Sequence, residues 1–264
     1  FLFIGLRFVT ATITVLPFAL AESARASTPL TGSQKRAFLL IGFMLFGAIT
    51  LQQVGLLTTT VTNTGFLTGL YVVLTPICGV LLFRDWPHLA VWTAALIALA
   101  GIWLLAGGQL SSLTTGDWLC IIGAIFCGFQ LSLIGHYAAH TGRPITLAVT
   151  QFSFCAVFGM LMALALEPIS LPAIWDAAPQ ILYAGIFSGG IAFTLQAIGQ
   201  RYTTSAQAAI FLSSEAVFAA LFGAWILGER LPAIGWIGCA LILIAILVAE
   251  TIPAMRRKAA PVIP

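Results

Sequence analysis

The chain has 264 residues, of which 60% are hydrophobic and 7% charged, with a formal net charge of +3 and a mean hydropathy of +1.07. Ordinary globular chains carry about 25% charged residues, so a water-soluble domain is excluded, and no nucleic-acid partner is expected of so small a charge. An all-α polytopic membrane protein in a lipid bilayer is the class that remains.

Apolar segments fall in chain order at 1–20, 36–57, 62–83, 88–107, 117–138, 145–166, 179–200, 204–227 and 232–251. Each is close to the roughly twenty residues that cross a ~30 Å hydrocarbon core, so nine membrane helices are predicted. Turn punctuation separates them: Thr58-Thr59-Thr60, Arg84-Asp85-Trp86-Pro87, Gly107-Gly108, Thr141-Gly142-Arg143-Pro144 and Gly228-Glu229-Arg230. The five cysteines all lie inside apolar runs without metal-ligand spacing and read as small packing residues. Ala19-Leu20-Ala21 after the first run mimics a signal-peptide cleavage site, but Arg7 sits within the run rather than ahead of it.

An internal repeat settles the nature of that first run. Ala48-Ile49-Thr50-Leu51-Gln52-Gln53-Val54-Gly55 aligns with Ala192-Phe193-Thr194-Leu195-Gln196-Ala197-Ile198-Gly199, an offset of 144 residues. Without a gap, Thr59-Thr60 then meets Thr203-Thr204, Asn63 meets Gln207, Gly79 meets Gly223, Trp92 meets Trp236 and Phe8 meets Phe152. Residues 1–20 thus match the helix at 145–166 and are themselves a spanning helix. The helix at 117–138 has no counterpart, because its partner would precede Phe1. Two inverted five-helix repeats are therefore expected, ten helices with the first absent from this chain. Repeat one is 1–110, repeat two 111–255, and 256–264 is a basic tail.

Basic residues set the orientation. Arg25, Lys35, Arg36, Arg84, Arg143, Arg201 and the tail Arg256-Arg257-Lys258 fall on one side, and the opposite loops 58–61, 108–116 and 167–178 have no Lys or Arg. Only Arg230 departs from the pattern. Five spans per repeat invert the second copy, and both termini of the intact protein are expected in the cytoplasm of a bacterial-type inner (plasma) membrane.

These features resemble the EamA-type members of the drug/metabolite transporter superfamily. The residues that carry the resemblance are Gly5-Leu6-Arg7-Phe8, Gly79 through Asp85 with Trp92 and Gly101, Ser213-Ser214-Glu215, and Gly223 through Leu231. Members of that family often have proline directly after the mid-helix glutamate. Ala216 stands there, so a straighter helix is expected. The resemblance implies a ten-helix exporter that alternates its access around a central cavity between the repeats, and within the family it points to the aromatic amino-acid exporters of the YddG type.

Substrate sites of inverted-repeat transporters lie near the midplane. Glu215 lies about 16 Å into its segment when counted from Thr204 at ~1.5 Å per residue. An acid at that depth needs a partner, a proton or a water-filled cavity. Its repeat equivalent is Tyr71. Thr64, Thr68, Tyr71 and Thr75 share one helix face, and the threonines either bond back to their own helix or line a cavity. Pro76 should kink that helix, while its equivalent Ala220 should not. Gln52 and Gln196 occupy matching positions, either as an interhelical bonding pair or in transport. Gln130 lies mid-span beside Phe126 and Cys127. Arg7 either reaches the interface or attracts a substrate carboxylate, and pairing with Glu215 is a further role for it. Gly189 and Gly190 allow either close packing or bending. The helices at 88–107 and 232–251, rich in small residues, read as peripheral.

The function expected is export of small amphipathic metabolites, above all aromatic or other hydrophobic amino acids, with protons as candidate coupling ion and no cofactor. The carrier is expected to work as a monomer or weak homodimer. Protonation of Glu215 coupled to substrate movement is set against a static role for it. An intramembrane enzyme fits poorly, since there is no His-Glu-x-x-His pair and no paired intramembrane aspartates. Nucleotide-driven pumping lacks a Gly-x-x-x-x-Gly-Lys loop. An exporter of another metabolite or drug-like class is the first alternative, and a non-transporting sensor or structural protein the second.

Overall fold

The computed structural model describes residues 1–108, 113–226, 230 and 232–259, with side chains as far as Ile252. Residues 109–112 of one connection, Gly228, Glu229 and Leu231 of another, and the side chains of Arg256, Arg257 and Lys258 lie outside the described residues.

Helices follow the apolar segments: α1 (Leu2–Arg25), α2 (Gly32–Gly55), α3 (Val61–Gly69), α4 (Tyr71–Phe83), α5 (Leu89–Leu105), α6 (Thr115–Thr141) and α7 (Pro144–Leu166). Next come the short α8 (Leu171–Asp176) and α9 (Ala178–Tyr183), a π-helical segment (Ala184–Ala192), α10 (Phe193–Gly199), α11 (Ser205–Leu212), α12 (Ser214–Ile226) and α13 (Ala233–Ala259). Among the described residues, eight helical stretches are long and apolar enough to cross a bilayer, and α5 is a shorter apolar helix of 17 residues. The protein is an all-α polytopic membrane protein.

Two compact units divide the chain. The first comprises Phe1–Thr50 with Leu133–Thr204, and the second Leu51–Ser132 with Ser205–Pro264. Each unit therefore takes matching stretches from both copies of the repeat.

In the first unit α1 packs on its own repeat equivalent, α7. Gly5 lies against Gly159 near one end of the pair, and Glu22 against Ile145 and Thr146 near the other, so the two helices run antiparallel. That is the arrangement an inverted repeat requires. Without a hydrophobic drive between helices in lipid, close backbone approach and polar bonds hold such pairs. Both are present. A Cβ on Gly5 would fall 2.9 Å from the Met160 nitrogen, so only glycine lets the backbones meet. Glu22 accepts the Ile145 and Thr146 amides at 3.1 and 2.7 Å and the Thr146 hydroxyl at 2.7 Å, satisfying orphan donors at the α7 N-terminus. Between these ends Phe8 and Phe152 meet, their ring centroids 5.9 Å apart and both side chains fully buried.

The second unit repeats this logic with α5 and α13, again repeat equivalents. A Cβ on Gly238 would fall 2.5 Å from the Gly101 carbonyl oxygen, and one on Gly101 2.8 Å from the Ile242 side chain. Around that contact Ala94, Ala95, Ala98, Ile242 and Ala245 form a tight core. The small residues of these helices therefore serve to pair the two with each other. Four of the five cysteines are buried and all are free thiols.

Candidate functional site

In the second unit, α3 and α4 form one span that breaks at Leu70, and α11 and α12 form one that breaks at Ser213. The two breaks fall within one residue of repeat-equivalent positions. At each the ladder tightens to three-residue spacing: the Val73 amide donates to the Leu70 carbonyl at 3.1 Å, and the Ala216 amide to the Ser213 carbonyl at 3.1 Å. At the second, the Ser213 hydroxyl also donates to the Ile210 carbonyl at 2.5 Å, a back-bond of the kind that bends helices. The straighter helix expected from Ala216 is not found, because Ser213 supplies the irregularity that proline was not there to supply. Nor is the irregularity confined to the copy with Pro76, through which α4 continues.

These breaks deliver the repeat-equivalent pair. Tyr71 is the first residue of α4, and Glu215 lies in the first turn of α12. Tyr71, Cys127 of α6 and Glu215 lie near one another in the second unit. The Glu215 side chain is exposed in the protein, and among the described residues it forms no ion pair. Gln130, one helical turn beyond Cys127, is almost fully enclosed. Gln52 donates to the Thr68 hydroxyl at 3.1 Å, so α2 and α3 are tied by two of the residues singled out by sequence. The hydroxyl stripe divides. Thr64 and Thr75 bond back to the carbonyls of Thr60 and Tyr71 at 2.9 and 2.7 Å, while Thr68 faces Gln52.

The first unit holds Arg7, Gln196, Gly189 and Gly190. Arg7 keeps its guanidinium 4.8 Å from the Phe8 ring centroid, with Nε buried and unpartnered. Gln196 is half-buried on α10. Gly189 and Gly190 lie in the π segment, where the Phe193 amide reaches back five residues to the Ser188 carbonyl. Bare glycine lets this segment lie on α1: a Cβ on Gly185 would sit 2.7 Å from the Arg7 carbonyl oxygen, and one on Gly189 3.0 Å from the Ala11 Cβ. In α2, the repeat equivalent, Ile41, Leu45 and Phe46 stand where the segment has Gly185, Gly189 and Gly190, and that helix is uninterrupted. The π segment is thus a departure from two-fold sameness in addition to Pro76 standing against Ala220.

Sequence reasoning passed over two further groups. Thr50 and Thr194, repeat equivalents, each have a buried hydroxyl without a partner, a costly state that invites an explanation. Their signal was the doubled Thr-Leu-Gln of the repeat. Asp117, almost fully buried, accepts from Thr59 at 2.5 Å and from the Thr114 amide and hydroxyl at 2.7 and 2.9 Å. The Asp117 amide returns a bond to the Thr114 hydroxyl at 3.2 Å, a reciprocal cap that the Thr-x-x-Asp spacing announces. Among the described residues, no three His, Cys, Asp or Glu side chains gather as a metal site would require.

Repeat-related helices paired antiparallel, and apolar spans broken near their middles, fit a multi-pass membrane protein built on inverted repeats. The profile of the EamA-like transporter family matches residues 1–107 and 114–251. An uncharacterized transporter of Archaeoglobus fulgidus is 34% identical over 254 residues, which is 95% of this chain and 76% of that protein. The uncharacterized transporter YwfM of Bacillus subtilis is 28% identical over 182 residues, 66% of this chain and 58% of its own length. The chain belongs to the EamA-like transporter family. One solved structure superposes with a TM-score of 0.77 over 98% of this chain and 89% of its own, at 19% identity, a likeness of fold.

Proposed function

We propose that this transporter-family member is a carrier, not an enzyme, that exports small amphipathic metabolites across a bacterial-type inner membrane by alternating access. Aromatic or other hydrophobic amino acids, as handled by YddG-type exporters, are its substrate class. The observation that carries the reading is the pair of matched breaks at Leu70 and Ser213, which place Tyr71 and Glu215 at the starts of half-helices within their spans. Discontinuous helices of this kind form substrate sites in inverted-repeat transporters, because the freed backbone groups and half-helix termini are available to a polar ligand.

In this reading Tyr71, Thr68, Gln52, Gln130 and Glu215 of the second unit face the substrate path. Within the first unit, Arg7, with its unpartnered Nε, offers a partner to a substrate carboxylate, and Gln196 offers an amide. A charge-assisted bond to Arg is the stronger kind available to a carboxylate. The π segment with Gly189 and Gly190 flexes as access alternates, Pro76 fixes the α4 half-helix, and Glu215 takes up and releases the coupling proton. With basic loops on one side, both termini of the intact protein face the cytoplasm.

The test is flux. Proteoliposomes of the full-length protein are loaded with labelled phenylalanine, tyrosine, tryptophan, leucine, glutamate and lysine. Faster efflux of the aromatic and hydrophobic members than of glutamate and lysine supports the reading. Equal leak from protein-containing and empty vesicles for the whole panel sinks it.

A further inference from the structure

One end of the first unit holds a pocket of about 590 Å³ that the transport reading leaves unused. It is formed by the end of α1 and the residues after it, the α6–α7 turn, and the chain beyond α10. Three arginines line it, Arg25, Arg143 and Arg201, together with Glu22, Thr28 and Gly142.

Among the described residues Glu22 is the single acid on the pocket wall, and its carboxylate is already committed to the two amides and the hydroxyl at the α7 N-terminus. It therefore offsets the helix end more than it offsets the arginines. Arg143 donates through Nη2 to the Thr28 carbonyl, which steadies the loop after α1, and its other donors are not used by that bond. Arg201 rests 5.7 Å from the Tyr202 ring centroid and forms no ion pair among the described residues. The bias of arginine toward one side of a membrane accounts for the side they occupy. It does not account for three of them converging on one cavity from three separate stretches of chain.

We infer that this pocket binds a phosphate group. Guanidinium presents a planar fork of donors that matches phosphate oxygens, and basic pockets between helix ends at the membrane boundary suit anionic headgroups. Phe18, which also lines the cavity and is exposed, gives one wall an apolar character fit for an acyl chain. The same phosphate chemistry could arrive on a lipid or as a soluble ion, and the two sources are separable by experiment.

The detergent-purified full-length protein is titrated with phosphatidylglycerol and, separately, phosphatidylcholine, with retained lipid read by native mass spectrometry. Its thermal midpoint is also read in inorganic phosphate against chloride at matched ionic strength. The Arg25→Gln, Arg143→Gln and Arg201→Gln variants are compared with Arg84→Gln, which removes a cation outside the pocket. Phosphatidylglycerol held in preference to phosphatidylcholine, with a loss of roughly tenfold or more in the pocket variants and none in Arg84→Gln, establishes a lipid-borne phosphate. A midpoint raised by inorganic phosphate and abolished in the pocket variants establishes a soluble one. A wild-type protein that shows neither preference nor shift overturns the inference even if the variants fail to fold. Equal losses in Arg84→Gln and the pocket variants overturn it as well.

Discussion

Gln52 of α2 donates to the Thr68 hydroxyl of α3 across 3.1 Å. Two positions chosen from sequence for their polarity at depth are thereby each other's partner. Interhelical bonds of this type in membrane proteins couple by about 0.6 kcal/mol on average and at most about 1.7. A double-mutant cycle with Gln52→Ala and Thr68→Val, followed by unfolding in mixed detergent, is expected to return a coupling in that range. A coupling of zero would mean that the bond contributes nothing to the folded state.

Gly238 and Gly101 let α5 and α13 touch through their backbones, with a Cβ on Gly238 only 2.5 Å from the Gly101 carbonyl oxygen. Backbone cannot swing aside as a side chain can, so Gly238→Ala is expected to cost about 1–3 kcal/mol, read as a lowered thermal midpoint. A Cβ on Gly65 meets nothing within 4 Å, and Gly65→Ala is expected to leave the midpoint unchanged or raise it slightly. Equal destabilisation by both would contradict the packing account.

Asp117 holds the α2–α3 connection to the start of α6 through Thr59 and Thr114. Removing it takes the acceptor from three partly buried bonds, and bonds to a charged group contribute about 1.5–3 kcal/mol. Asp117→Ala is expected to lower stability by at least that much, and Asp117→Asn by less, because one acceptor oxygen survives. Thermal unfolding of the two variants in the same detergent would show whether the order holds.

Glu215 makes no ion pair among the described residues, so Glu215→Gln is expected to fold normally. Its effect should fall on coupling, since an amide cannot load a proton. With one proton per substrate, one pH unit of gradient corresponds to about tenfold accumulation. That accumulation is expected in vesicles of the wild-type protein and not in those of Glu215→Gln. Undiminished pH-driven accumulation in the variant would assign the proton to another group.

The helices were legible because lipid permits little else: long apolar runs with sparse charge must be spans, and the offset between Ala48 and Ala192 transferred the reading from one copy to the other. The pairing of α1 with α7 was not legible. It depends on Gly5 meeting Gly159 in space, and nothing in the spacing of glycines tells a lipid-facing one from a contacting one. The π segment was hidden for a related reason, since its residues are ordinary for a membrane α-helix and the extra residue per turn leaves no mark on composition. The break at Ser213 escaped because proline was the signal sought, whereas a serine back-bond produced it. Thr50 and Thr194 were visible as a repeated pair, but their unpartnered hydroxyls appear only once their burial is known.

Phe8 against Phe152 is a residue facing its own image. Contacts of that form are isologous: whatever one surface presents, the other presents too, as in a homodimer with a two-fold axis. Two copies joined in one chain are free to drift apart in sequence everywhere except where each must fit its twin. On this seam a change in either ring alters the complement required of the other, so substitutions there should be coupled rather than additive. The seam between α1 and α7 therefore behaves as a subunit interface enclosed within a single polypeptide.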